Sequence, residues 1–439
     1  MRRHQLLTAL ALTASLAMIA SPAATHVPLA GGALVNVPYY PMHSAICAVK
    51  SLQMVLSYYG HNYSESLLLQ LSGWDYGAYY LPSYHFGYGI GSYPVEAVAR
   101  AAKLLGFSVR YVDTSNFSRA LEVVVKALRN STPVIIQLSH HTIVAVGYEG
   151  GDVLVNDPSG GPYSWSVLED LRAVNLSASL GRQSQSLLRY LAEISVRKGF
   201  GSRVPLTPKE LREEWRSWWG TYQALIIKPV KPVEALNLST WAEVLRHDGE
   251  LELGTTATRG WGCEGVKAWE LLAKDLRTYF PSVVRDEPAE LYWVKSAMLD
   301  IAASRRLDAS AFLAGLASAL RSRNLTLASW WLERASDEFS YASTLIDEAI
   351  AHRSNATLAK ELLLRASNHV LRGGEYDRLA GEYMIKAAEQ LSRLSTPAGR
   401  AVKAGASVAV PTAAACAVAA AAAASVATYL IVRRSRRGG

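Results

Sequence analysis

The apolar pattern of this 439-residue chain changes character once, near residue 235, and that change limits it to a two-part architecture. Before it, short apolar runs are cut by Gly and Pro. These read as alternating helices and strands: helices over 94–105 and 120–128, strands over 108–112 and 133–138, and a hairpin of 141–148 with 153–156 about Glu149-Gly150-Gly151. Residues 163–205 read as an insertion carrying two helices, followed by a helix over 208–219 and a strand over 222–227. Trp215, Trp218 and Trp219 on that last helix read as core or its edge. After residue 236 strand signals nearly vanish. Helices are expected over 265–280, 289–304, 310–321, 328–353, 357–371 and 376–394. Leu332, Ala335, Phe339, Ala342, Ile346 and Ala349 recur at steps of three and four, the seam of a helical bundle.

The two ends are of a different kind. Residues 1–23 read as a secretory signal: Arg2 and Arg3, an apolar run, then small residues at Ser21 and Ala23. Residues 404–432 carry no charge and are long enough to cross a bilayer, and the arginines of 433–439 should stay cytoplasmic. The net charge of +8 therefore sits largely in these ends, and the body of the chain does not present the basic surface of a nucleic-acid binder. Seven of the ten Asn head an N-x-S/T sequence: Asn62, Asn116, Asn130, Asn175, Asn237, Asn324 and Asn355. That excess, lying between the two ends, suggests a glycosylated ectodomain. The expected address is a single-pass cell-membrane protein with its body outside.

The candidate nucleophile lies on the first helix. Ala48, Leu52, Val55 and Tyr59 repeat at helical spacing, Gly60 suits the C-terminal end, and Pro38 with Pro41 keeps the preceding segment extended. Cys47 then falls in the first helical turn, where the N–H groups and dipole favour a thiolate. Of three cysteines, Cys416 lies in the apolar stretch; Cys47 and Cys263 either pair or are free, and a catalytic Cys47 must be free. A thiolate nucleophile needs a base, and the base a group to orient it. His141 heads one strand of the hairpin and Asp157 ends the other. With a three-residue loop, Ile143 faces Asp157, and His141 becomes its diagonal neighbour on the same face. A two-residue loop would present Asn156 instead. His140 is the competing base, pointing to the other face. No metal-ligand pattern such as HExxH or a CxxC pair appears, so neither metal nor cofactor is expected. Residues 74–93 form a loop dense in Tyr and Gly, either packed on itself or forming a wall of a substrate cleft.

The ordered set V-P-Y-Y…C-A-V-K-S-L-Q-M-V-L-S-Y-Y-G, P-V-I-I-Q-L…H-T-I-V-A-V-G-Y and V-N-D-P resembles the bacteriocin-processing type of papain-like cysteine peptidase. The resemblance implies an α+β domain over 33–233, with the Cys-bearing helix packed on an antiparallel sheet, and the catalytic Cys, His and Asp at Cys47, His141 and Asp157. Two departures stand out. Ala48 follows the cysteine where that family commonly has Gly, and Pro41 and Met42 occupy the positions of its oxyanion-stabilising Gln. His43 is the candidate replacement donor; otherwise the Cys47 N–H acts nearly alone. In the helical part (236–396), G-C-E-G-V-K-A-W-E-L-L-A-K-D-L and G-G-E-Y-D-R-L-A-G-E-Y-M-I-K-A-A are similar to a domain that follows papain-like domains of the butirosin-biosynthesis acyltransferase kind. That likeness implies a thiol that carries an acyl group to an amine. The sequence thus leads to a membrane-anchored thiol hydrolase acting on peptides or amides. Acyl transfer and a catalytically weakened peptide-binding module stand beside it, and the oligomeric state is left open.

Overall fold

A computed structural model of the chain describes residues 32–139, 141–160, 201–216, 220–256 and 263–395. The expected signal (1–23), most of the insertion (163–205), His140, Trp218, Trp219, Asn175, the apolar stretch 404–432 and the basic tail 433–439 lie outside the described residues. Among the described residues no helix is long and apolar enough to cross a membrane.

The first part is α+β. Its elements are β1 (Ala33–Leu34), α1 (Cys47–Tyr58), α2 (Glu65–Ser72), β2 (Tyr79–Leu81), β3 (Phe86–Tyr88), α3 (Pro94–Leu104), β4 (Phe107–Thr114), α4 (Phe117–Arg129), β5 (Val134–Gln137), β6 (Thr142–Glu149), β7 (Asp152–Asp157), β8 (Gly201–Leu206), α5 (Pro208–Trp215) and β9 (Tyr222–Pro229). The main sheet runs β4-β9-β5-β6-β7-β8, with β1 added on β6, and every pair in it is antiparallel. Strand β5, Val-Ile-Ile-Gln, is buried at each position, which explains its unbroken apolar run. Helix α1 buries Ala48, Val49, Leu52, Val55 and Leu56, and Ser51 Oγ donates to the Thr142 carbonyl at 3.2 Å. That bond ties the helix to the start of β6.

The hairpin reaches the expected register by a different route. Its turn is the two-residue kind, Gly150-Gly151 between the paired Glu149 and Asp152, with both glycines at positive φ, as a tight hairpin turn requires. Alone, this turn would send Asp157 to the wrong face. A bulge between Ala145 and Gly147 restores the parity, so that Val144 pairs with Asn156 and the next step brings Ile143 level with Asp157.

The second part is helical: α6 (Leu238–Leu253), a two-residue strand β10 (Cys263–Glu264), α7 (Val266–Thr278), α8 (Pro288–Val294), α9 (Ile301–Leu320), α10 (Arg323–Ala351) and α11 (Ala356–Ser395). The seam from Leu332 to Ala349 is buried along α10. Three sequence readings differ from this. Helix α6 lacked a clear sequence signal. The break expected after residue 304 is absent, because Arg305 and Arg306 lie within α9 as buried, paired charges that interrupted the apolar pattern. The break expected near residue 373 is absent because Gly373 and Gly374 sit inside α11. A Cβ there would come within 2.5 Å of Phe339 and 2.8 Å of Trp269 respectively, so these glycines serve close helix packing.

The two parts share a core. One apolar cluster joins Leu52, Val55 and Val98 to Trp241, Leu245, Leu313 and Met384. The aromatic stretch 74–93 supplies the other joint. Its hairpin β2–β3 is extended by β10, Tyr80 is fully buried, and its hydroxyl donates to Asp275 at 2.6 Å. The Gly89 N–H donates to Ala297 O at 3.0 Å, and Phe86 stacks on Trp293. The loop therefore clasps the helical part, where the sequence suggested a self-packed loop or a cleft wall.

Candidate active site

Cys47 is the first residue of α1, after the N-terminal cap Ile46. The N–H groups of such a first turn have no acceptor within the helix, and they concentrate positive potential at the thiol. Cys47 is a free, partly exposed thiol. His141 immediately precedes β6 and Asp157 ends β7, buried at 4% and 3% exposure. The imidazole Nε2 of His141 is 2.7 Å from Asp157 Oδ1 and 2.8 Å from Ser159 Oγ. Cys47 and His141 interact, each shifting the titration of the other through charge and a side-chain hydrogen bond.

The electrostatics follow from this packing. Burial pushes the Cys47 thiol up, but the His141 charge and the hydrogen bonds from His141 and Thr142 outweigh it, so the thiol lies below its ordinary value of 9.0. Burial pulls His141 down, but the Asp157 and Cys47 charges prevail and raise it to about 10. Both shifts favour the thiolate–imidazolium pair over the neutral pair.

The structure thus brings Cys47, His141 and Asp157 together. The His43 side chain is 59% exposed, with Nε2 3.2 Å from Glu65 Oε1. The ring offered as oxyanion donor is therefore paired with a carboxylate. At the position of the usual Gln, Met42 is buried and its N–H donates to Pro158 O at 2.7 Å, so no side-chain donor stands there.

Two contributors escaped the sequence reading. Thr142 supports the thiolate, chiefly through its backbone N–H, because its hydroxyl gives its one proton to Gln137 Oε1 at 2.9 Å. The signal available was Ser51, one turn after Cys47 on the same helix face, which fixes the Thr142 carbonyl. Ser159 is fully buried, and its N–H donates to Asp157 Oδ1 at 2.8 Å. This is an Asx turn that the sequence N-D-P-S could have announced. Tyr39 donates to the Asp157 carbonyl at 3.0 Å and closes the far side.

Among the described residues no group of three or more His, Cys, Asp or Glu is placed to hold a metal ion. Of the glycosylation candidates, Asn62, Asn116, Asn130, Asn237 and Asn355 are exposed and Asn324 partly so. Asn116, Asn237 and Asn355 accept a backbone N–H from the first turn of α4, α6 and α11. Helix capping therefore accounts for an Asn at these three places without any glycan.

No curated protein matches the chain. Residues 34–174 match the Peptidase_C39 like family, a stretch that holds Cys47, His141 and Asp157, and over it the chain is similar to a family of cysteine peptidases.

Proposed function

We propose that the chain is a thiol hydrolase of peptides or amides, working through an acyl-enzyme on Cys47. One observation supports this reading: the buried His141 is held at 2.7 Å by Asp157 Oδ1 and interacts with the Cys47 thiol, lowering it below its ordinary value. In the first step the thiolate attacks the carbonyl carbon and forms a C–S bond. The oxyanion faces the first-turn N–H groups of α1, chiefly that of Cys47. The His141 imidazolium gives its proton to the leaving nitrogen as the C–N bond breaks. Water then attacks the thioester, His141 takes its proton, and the thiolate leaves with the acid product released. Asp157 holds the ring and its charge throughout.

Acyl transfer to an amine shares the first half of this cycle, and only the acceptor differs. A second reading, a module that binds peptides without cleaving them, draws on Met42, whose burial leaves the usual oxyanion position without a donor. Incubating the protein with a peptide mixture, with and without added amines, separates the three by mass. Hydrolysis yields free acids, transfer yields amides, and binding alone yields neither. Cys47→Ser should abolish both products.

The address is part of the proposal: signal 1–23, body outside, anchor 404–432, arginines inside. External protease on intact cells should digest the body and spare a tag on the tail. A glycosidase-dependent mass loss should report sugar on the sequons. A protected body would overturn this address.

A further inference from the structure

Cys47 is delivered by a tight turn, Ser44-Ala45-Ile46, and each residue of that turn is held. The Ile46 N–H donates to the Ser44 carbonyl at 2.8 Å. The Ala45 carbonyl accepts from Trp74 Nε1 at 2.9 Å. The Ser44 hydroxyl accepts from Arg305 Nη2 at 3.0 Å. Arg305 comes from α9 in the helical part, 261 residues away in sequence. Its guanidinium is itself fixed, with Nη1 3.3 Å from Asp75 Oδ1 and Nη2 2.6 Å from Asp308 Oδ2, and it is 1% exposed. The next residue, Arg306, donates to the carbonyls of Asp75 at 2.7 Å and Gly77 at 2.7 Å. The arginine pair therefore grips the stretch 74–77, and both Trp74 and Arg305 grip the turn before the nucleophile.

We propose that Arg305 is a positioning residue for Cys47, and that the helical part sets the reactivity of the thiol through the Arg305–Ser44 bond. The proposal rests on the reading of Cys47 as nucleophile. The physical argument is one of direction. A first-turn thiol sits at the end of the helix, so its distance to His141 depends on the turn that enters the helix as much as on the helix itself. A neutral Ser–Ser contact in this place would hold the turn weakly. A hydrogen bond from a buried guanidinium is charge-assisted and directional. Burial, opposed by the Arg305 charge, raises Asp75 to about 7, so the strength of the grip also depends on charges placed in the interface.

The test uses the full chain and measures the rate at which iodoacetamide alkylates Cys47, mapped by mass, as a function of pH. Ser44→Ala removes the acceptor and leaves the buried ion pairs intact. It should slow alkylation at about pH 6 roughly tenfold and move the midpoint of the profile up by about one unit, toward an ordinary thiol, with the melting temperature little changed. Arg305→Met combined with Asp75→Asn avoids stranding a buried carboxylate, and should give the same shift. Adding Ser44→Ala to it should add nothing, because both act through one bond. Arg305→Lys should fall between. A Ser44→Ala profile that overlays the wild type, or effects that add in full, would overturn the proposal. A wild-type profile like that of a free thiol would instead remove the nucleophile reading beneath it.

Discussion

His141 Nε2 lies 2.7 Å from Asp157 Oδ1 because Val146 is passed over in the pairing of β6 with β7. The two-residue turn and the bulge each reverse the parity of the hairpin, and together they return Asp157 to the face of His141. The contact is thus a product of strand register, held further by Ser159 at 2.8 Å from each partner.

Replacing Asp157 by Asn keeps the shape and removes the charge. The imidazolium loses its principal support, so proton delivery to the leaving nitrogen should fail over most of the pH range. Turnover is expected to fall about 100- to 10,000-fold. The alkaline limb of the rate profile should move down from about 10 toward the ordinary histidine range. Steady-state kinetics against pH check both, and an unchanged alkaline limb would speak against the assigned role.

The same group links stability to pH. His141 is raised from 6.5 to about 10, so the folded state binds its proton more tightly than the unfolded chain does. This stabilisation is complete below about pH 6.5 and is lost as pH rises through about 10. The lowered Cys47 thiol works in the opposite sense, so the comparison is made in Cys47→Ser: there the melting temperature should fall between those limits, and the fall should be shallower when His141→Asn is added. Equal slopes in the two proteins would contradict the shift.

Arg306 ties the helical part to the stretch 74–93 at a different point, through the Asp75 and Gly77 carbonyls. It is fully buried and also donates to Asp377 at 2.9 Å and to Glu252 at 3.1 Å. Arg306→Met strands both carboxylates and should cost about 3–5 kcal/mol in denaturant unfolding. Adding Glu252→Gln and Asp377→Asn should recover much of that loss. A single variant as stable as the wild type would mean that the network contributes little to stability.

Much of the first part was legible because local rules decide it. Cys47 begins α1 where the Pro-rich lead and the apolar spacing place a helix start, and Ser64 caps α2. The pairing of His141 with Asp157 was expected from a three-residue loop, whereas the observed two-residue turn needs the bulge at Val146 to restore that register, and the sequence carried no signal for the bulge. What local rules could not show was tertiary. Arg305 and Arg306 looked like a surface break between helices, because a single sequence cannot show that Asp75, Glu252 and Asp377 await them. Gly373 looked like a helix end, because the Phe339 ring that needs its space lies on another helix. His43 looked available as a donor until the Glu65 carboxylate was found beside it.

The central claim is that Cys47 rests as a thiolate against a protonated His141. The most direct measurement is the ultraviolet absorbance of the thiolate followed against pH, in the wild type, Cys47→Ser and His141→Ala. The expected result is a thiolate signal present well below pH 9.0, the ordinary thiol value, absent in Cys47→Ser and moved up toward that value in His141→Ala. A wild-type signal that appears only near pH 9.0, unchanged by His141→Ala, would contradict the account.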